Sequence, residues 1–456
     1  MPRLLLLLVP LVACSESNVR SRPSLDVPDA CIDFAPPEYA PEQVDTCRGE
    51  PIVGVFDPVV QWQWRDNSVH RGYHQIMAAP VVGHLNDDDG NGIIGDGDVP
   101  DVVFTAFIAS AYSNPGTLVA LDGSTGAQLW SVAQAGGAHP YGAAGVAIAD
   151  LGPGGPVVLV PSDKGLLAVE GVDGAFRWLA PTSIYRYGHP SVADVDGDGV
   201  AEVILGASLI NADGTLRWTG TGGQGRPMRG SFAVDLDGDG AAEIVAGNTV
   251  YEVDGSIRWQ ADGPDLWPAV GDLDLDGSPE IIGTDGQGQV VVRNVDGSDR
   301  WTFTLSDGGG GPPTVADFDG DGLPEIGVAS RSVYRVIDGD GTELWANAVQ
   351  DYSSQQTGSS VFDFEGDGAA EVVYADEETL WVWDGATGSV ELQWTDHASG
   401  TLFEYPLVVD VDADGAAEIV LASNNYSRPG ATGITVIEDA SDSWAAARTV
   451  WNQHAW

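Results

Sequence analysis

Beyond about residue 50 the chain alternates short apolar runs with turns rich in Asp, Asn and Gly. Glu202-Val-Ile-Leu-Gly-Ala207 and Val290-Val-Val-Arg293 are typical runs. Short β-rich runs between such turns read as strands, and the 3.6-residue spacing of an amphipathic helix is absent. One unit reads strand, acidic loop, strand, turn, strand, turn, Trp-bearing strand. The acidic loop, Asp-x-Asp-x-Asp-Gly-x-x-Glu, starts at Asp194, Asp235, Asp272, Asp317, Asp363 and Asp410. Successive differences between these starts are 41, 37, 45, 46 and 47 residues. A Gly and then a Trp share the period: Gly126/Trp130, Gly174/Trp178, Gly214/Trp218, Gly255/Trp259, Gly297/Trp301, Gly341/Trp345 and Gly388/Trp394. Two irregular loops precede the six. One runs from His84 through Asn86 and Asp88 to Asp101 with an insertion, and the other, at Asp150, has lost its remaining carboxylates. Four short antiparallel strands per period make a propeller blade. The expected fold is therefore an all-β propeller, with eight blades favoured and seven left open.

These units resemble the FG-GAP (VCBS-type) repeats of integrin α-chain propellers, over roughly residues 80–440. Integrin-type rings have seven blades, so the blade count is a point for the structure to decide. The Gly-x-x-x-Trp endings, as in Leu121-Asp-Gly-Ser-Thr-Gly126-Ala-Gln-Leu-Trp130, are similar to the quinoprotein-type propeller repeat, which non-enzymatic scaffold lipoproteins share. Residues 59–64 carry two Trp but have no blade of their own, and the last unit, from Pro406 onward, needs an outer strand. Pairing the two would close the ring and remove its exposed edge. The rival is that Ser443-Trp444 supplies that strand.

Acids at positions 1, 3, 5 and 9, with Gly at 6, converge on one point, as in the first part of an EF-hand loop. Six such copies are strongly self-repulsive unless a cation neutralises them. The expected ion is Ca²⁺. Its ligands would be Asp194, Asp196, Asp198 and Glu202; Asp235, Asp237, Asp239 and Glu243; Asp272, Asp274, Asp276 and Glu280; Asp317, Asp319, Asp321 and Glu325; Asp363, Glu365, Asp367 and Glu371; and Asp410, Asp412, Asp414 and Glu418. Asn86 and Asp88 are candidates in the irregular first loop. The ninth-position Glu either ligates or begins the next strand.

Composition narrows the function. The chain has 456 residues, 68 acidic and 19 basic, for a formal net charge of −49. Such charge argues against a nucleic-acid binder and against a polybasic membrane-surface protein. Lys164, the sole lysine, follows Asp163, so there is no P-loop, and neither His-Glu-x-x-His nor Gly-x-Ser-x-Gly occurs.

The apolar run after Arg3 is too short to span a bilayer and reads as a signal peptide over residues 1–13. Leu11-Val12-Ala13-Cys14 resembles a bacterial lipobox, so Cys14 is the expected lipidation site of an exported protein at the outer membrane or cell surface. Residues 14–50 read as a tether in which Cys31 and Cys47 pair, a closure contributing about 3 kcal/mol. Residues 51–443 are the propeller and 444–456 a C-terminal tail.

The loops entering each blade lie opposite the acidic loops and gather aromatic and basic groups. Tyr187, His189, Arg229, Trp267 and Tyr405 are the candidate ligand face. Aromatic faces suit sugar rings or apolar side chains, and arginines suit carboxylates such as those of a uronate polymer. The expected function is a calcium-binding, non-enzymatic surface module for adhesion to a protein or glycan, with the membrane reached only through the lipid. The alternatives are a polysaccharide lyase or hydrolase on the same scaffold, with His189 and Tyr187 as first suspects, and an outer-membrane assembly scaffold.

Overall fold

A computed structural model describes residues 56–225 and 230–454. The expected leader and tether, with Cys14, Cys31 and Cys47, and the candidate Arg229 lie outside the described residues.

The described residues form eight antiparallel sheets arranged as a propeller, and no helix occurs among them. Numbered in chain order, the blades have inner strands that begin at Val81, Ala147, Ser191, Phe232, Trp267, Thr314, Ser359 and Leu407. Blade 3 shows the plan: Ser191–Ala193, Glu202–Leu205, Ser208–Ile210 and Leu216–Thr219, paired in sequence from the channel outward. Its two middle strands are buried throughout, and after Glu202 and Ser208 every residue in them is apolar. Its outer strand is largely exposed and carries mixed residues. Blade 1 has one extra short strand, Tyr73–Gln75, on the far end of Asp101–Ile108.

Eight blades are thus settled, and the ring closes by its first strand. Pro58–Trp64 pairs antiparallel with Gly433–Asp439 as the outer strand of blade 8, with a bulge between Val60 and Trp62. Trp444 does not supply that strand. It packs instead against Phe364 and Phe56, with ring centroids 4.9 and 5.5 Å away.

The Gly–Trp period has a physical cause that crosses blades. In every blade but blade 7, whose Trp394 makes no such bond, the outer-strand Trp indole N–H donates to a backbone carbonyl in the third-to-fourth-strand turn of the next blade. The pairs are Trp62 to Gly123, Trp130 to Gly171, Trp178 to Ala212, Trp218 to Val253, Trp259 to Val295, Trp301 to Gly339 and Trp345 to Gly385, at 2.6–3.1 Å. The turn glycine lies on the face of that same Trp. At Gly388 a Cβ would sit 2.7 Å from the Trp345 ring, and the backbone is left-handed with φ 70°. Gly286 has nearly the same φ, 68°, but open space around it. Gly388→Ala is expected to cost about 2–4 kcal/mol and Gly286→Ala only about 1 kcal/mol, by equilibrium urea unfolding. Equal costs would mean that backbone conformation alone, and not the Trp contact, selects these glycines.

Residues 444–454 enter the ring. Ala445 N–H bonds the Phe364 carbonyl, Asp410 N–H bonds the Arg448 carbonyl, and Trp451 exchanges both backbone bonds with Val82. Ile148 N–H then bonds the Asn452 carbonyl, and Val192 N–H bonds Gln453 Oε1 at 2.6 Å. The segment expected as a tail therefore runs along the inner strands of blades 8, 1, 2 and 3. Beside it remains a cavity of about 540 Å³, lined by Val192, Phe232, Pro313, Ser359, Tyr405 and His454 among others.

Candidate functional site

Each of the six regular acidic loops is held by the same local bonds. The first-position Asp accepts the N–H of the sixth-position Gly at 2.8–3.0 Å. The fifth-position Asp accepts the N–H two residues on, at 2.7–3.0 Å. The ninth-position Glu opens the second strand, and its Oε2 accepts the second-position N–H at 2.7–3.2 Å. Every ring of bonds closes within nine residues, so the motif specifies its own geometry. Position 4 is left-handed in all six loops. Gly fills it in four of them, while Leu275 and Ala413 hold φ 53° and 61°.

This scaffold gathers carboxylate oxygens. Asp194, Asp196 and Glu202 lie with ligand atoms within 4.8 Å of one another, as do Asp317, Asp319 and Glu325. Asp235, Asp237 and Asp239 converge in the same way, as do Asp272, Asp274 and Asp276. In the irregular first loop the converging set is Asp87, Asp89 and Asp98. Asn86 there turns its amide to Asp88, and Asp98 accepts the N–H groups of Asp88, Asp89 and Gly95. Asp101 takes the ninth-position role, accepting Leu85 N–H at 3.0 Å, and burial pushes its carboxyl up to about 8.

Burial likewise raises Glu202 and Glu325 to about 7 and Glu418 to about 9, with neighbouring carboxylates adding to the shift. Asp410 is 3% exposed, and its Oδ1 has no hydrogen-bond partner. An all-oxygen, mutually repelling donor set with an orphaned buried oxygen fits a hard divalent cation such as Ca²⁺. Such an ion would supply charge neutralisation and would fix the loop.

On the opposite face the structure brings four of the predicted residues together. Tyr187, His189 and Trp267 surround Phe403, with ring centroids 6.0, 5.5 and 5.8 Å away. Tyr405 joins them through His454, whose Nδ1 is 2.5 Å from the phenol oxygen. Phe403, His189, Trp267 and Tyr405 are all buried, so these aromatics plug the channel mouth. Buried Glu404 fixes the plug, its Oε2 accepting the N–H groups of Leu402 and Phe403 at 2.9 Å. Burial holds the Glu404 carboxyl above the usual range.

Tyr187 is half-buried and belongs to a second, outer group. It stacks on Tyr112 with centroids 6.1 Å apart, and Tyr112 meets Tyr426 edge-on at 5.0 Å. Tyr426 is 43% exposed. Sequence reasoning missed Tyr112 and Tyr426 because they lie on second-to-third-strand loops. A signal was present. In blades 2–7 these loops have two to four residues, whereas in blades 1 and 8 they run over 109–116 and 424–432.

Residues 272–328, from the acidic loop of blade 5 into blade 6, match the FG-GAP-like repeat family. No curated protein matches the chain. Its fold is similar to that of the V. cholerae biofilm matrix protein Bap1, with TM-score 0.80 and 22% identity over 88% of this chain and 94% of that one. It is also similar to the rhamnogalacturonan lyase YesW, with TM-score 0.57 and 16% identity over 88% of this chain and 77% of that one. A Bacillus licheniformis rhamnogalacturonan lyase gives TM-score 0.56 and 15% identity over the same shares. At these identities the likeness is one of fold.

Proposed function

We propose that this chain is a calcium-binding propeller lipoprotein of the bacterial cell surface. It acts without catalysis, holding a glycan or protein partner on its tyrosine face. The observation that carries the reading is the group Tyr112, Tyr187 and Tyr426, contributed by three separate loops and exposed at its edge. Flat aromatic faces on a rigid scaffold match sugar rings and apolar side chains. The likeness to a biofilm matrix protein supports an adhesive role. Export and a lipid at Cys14 would place the ring at the surface. A lyase reading would need a solvent-facing base, and its first suspect, His189, is buried against Phe403 and His454.

The test is a glycan array with parallel turnover assays on pectic polymers. The double variant Tyr112→Ala/Tyr426→Ala is expected to lose binding by roughly tenfold or more, while its melting temperature moves by only about 2–3 °C. Trp267→Ala is a poor probe, because that ring is core. Unchanged binding in the double variant would remove the tyrosine face from the function. Release of unsaturated oligosaccharides from a pectic polymer would establish the lyase reading instead.

A further inference from the structure

We infer that the ring has two halves. In blades 2–5 an arginine of the outer strand stands in for the loop cation, and only the loops of blades 6, 7, 8 and 1 depend on a metal ion. This division rests on the calcium reading above.

The outer strands share a bulge, and the bulged arginines of blades 3, 4 and 5 face the acidic loop of their own blade. They are Arg217, Arg258 and Arg300. Each guanidinium forks across the third- and ninth-position carboxylates. Arg217 lies 2.6 Å from Asp196 and 3.4 Å from Glu202, Arg258 2.5 Å from Asp237 and 2.8 Å from Glu243, and Arg300 2.6 Å from Asp274 and 2.5 Å from Glu280. Blade 2 extends the series. Its loop has lost its acids apart from Asp150, and Arg177 instead donates to the Pro153 carbonyl at 2.9 Å and pairs with Glu170 at 3.1 Å. The guanidinium thus keeps its place where no metal set exists.

The other four blades carry no cation at this bulged position of the outer strand: Leu344, Glu391, Gln61 and Leu129. Among the described residues, arginine bridges to the acidic loops occur only in blades 3–5. In blade 8 Gln61 supplies one neutral N–H to Asp412 at 2.6 Å, and buried Asp410 Oδ1 remains without a partner. A planar guanidinium bridging two carboxylates gives charge and hydrogen bonds in one fixed fork. A divalent ion entering that loop must displace the fork or sit beside a like charge, and either weakens its binding. An amide, a leucine or a further carboxylate such as Glu391 imposes no such competition.

Hydrogen exchange by mass spectrometry on the intact protein, in millimolar Ca²⁺ and then in EDTA, reads each loop separately. Chelation is expected to speed exchange by roughly tenfold or more in residues 84–101, 317–325, 363–371 and 410–418, and by less than about twofold in 194–202, 235–243 and 272–280. In the triple variant Arg217→Gln/Arg258→Gln/Arg300→Gln the second set should become chelator-sensitive. If that variant fails to fold, Gln61→Arg with Leu344→Arg should make 410–418 and 317–325 insensitive. A uniform response across all six regular loops, or one confined to blades 3–5, overturns the division while leaving calcium binding intact. No response anywhere overturns the calcium reading and the division with it.

Discussion

A protein lacking residues 57–66 is expected to lose most of its soluble yield, and what remains should melt roughly 10 °C or more below the full ring. Those residues include Pro58–Trp64, the outer strand of blade 8. Its Trp62 and Trp64 are buried, and truncating a buried Trp costs about 3–5 kcal/mol. Trp62 also latches blade 8 to blade 1 through the Gly123 carbonyl at 2.6 Å. The deletion therefore weakens a blade and a junction together. It also bares Gly433–Asp439, a seven-residue edge rich in Ile, Val and Thr. Such an edge recruits strands from other chains, so the variant should elute as oligomers on gel filtration. A synthetic peptide of residues 57–66, added during refolding, should restore the monomer. A deletion variant that stays monomeric with unchanged melting would show that blade 8 is complete with three strands.

This closure was legible from sequence because the first Trp strand had no unit of its own. The acidic loops were legible for a different reason. Their bonds, from Asp194 to Gly199 or from Glu202 back to Val195, close within nine residues, so spacing alone encodes them. Contacts between blades were not legible. Gly297 and Trp301 sit four residues apart, yet Gly297 packs on Trp259 of the preceding blade, and Trp301 reaches forward to Gly339. The period reveals both landmarks but not which copies meet. The candidate ligand face shows the same limit. Loop membership places Tyr187, His189, Trp267 and Tyr405 at one mouth of the ring, but depth within the mouth depends on Phe403 and Glu404, which no spacing marks. The arginines before Trp218, Trp259 and Trp301 were visible as residues, though their reach to the acidic loops needs the register of four strands.

The least legible segment carries the second large effect. Residues 444–454 have no repeat and no strand pattern, because only Ala445, Arg448, Trp451 and Asn452 make backbone bonds to the ring, one or two to each blade. Truncation after Ser443 removes the Trp444 contact with Phe364 and the bonds to Asp410, Val82, Ile148 and Val192. Leaving such donors to poorer partners costs about 1 kcal/mol each, and losing buried Trp444 about 3–5 kcal/mol more. The truncated ring should therefore melt roughly 5–10 °C lower by differential scanning calorimetry. The pattern of the double variant is more telling. Pro58–Trp64 ties blade 8 to blade 1 from the outside, and residues 448–453 tie blade 8 to blades 1, 2 and 3 from the channel. The two fasteners act in parallel across one seam, so each limits the damage when the other is lost. Removing both should cost more than the sum of the single losses, leaving no cooperative transition. Strict additivity would mean that the C-terminal segment fills the channel without fastening the ring.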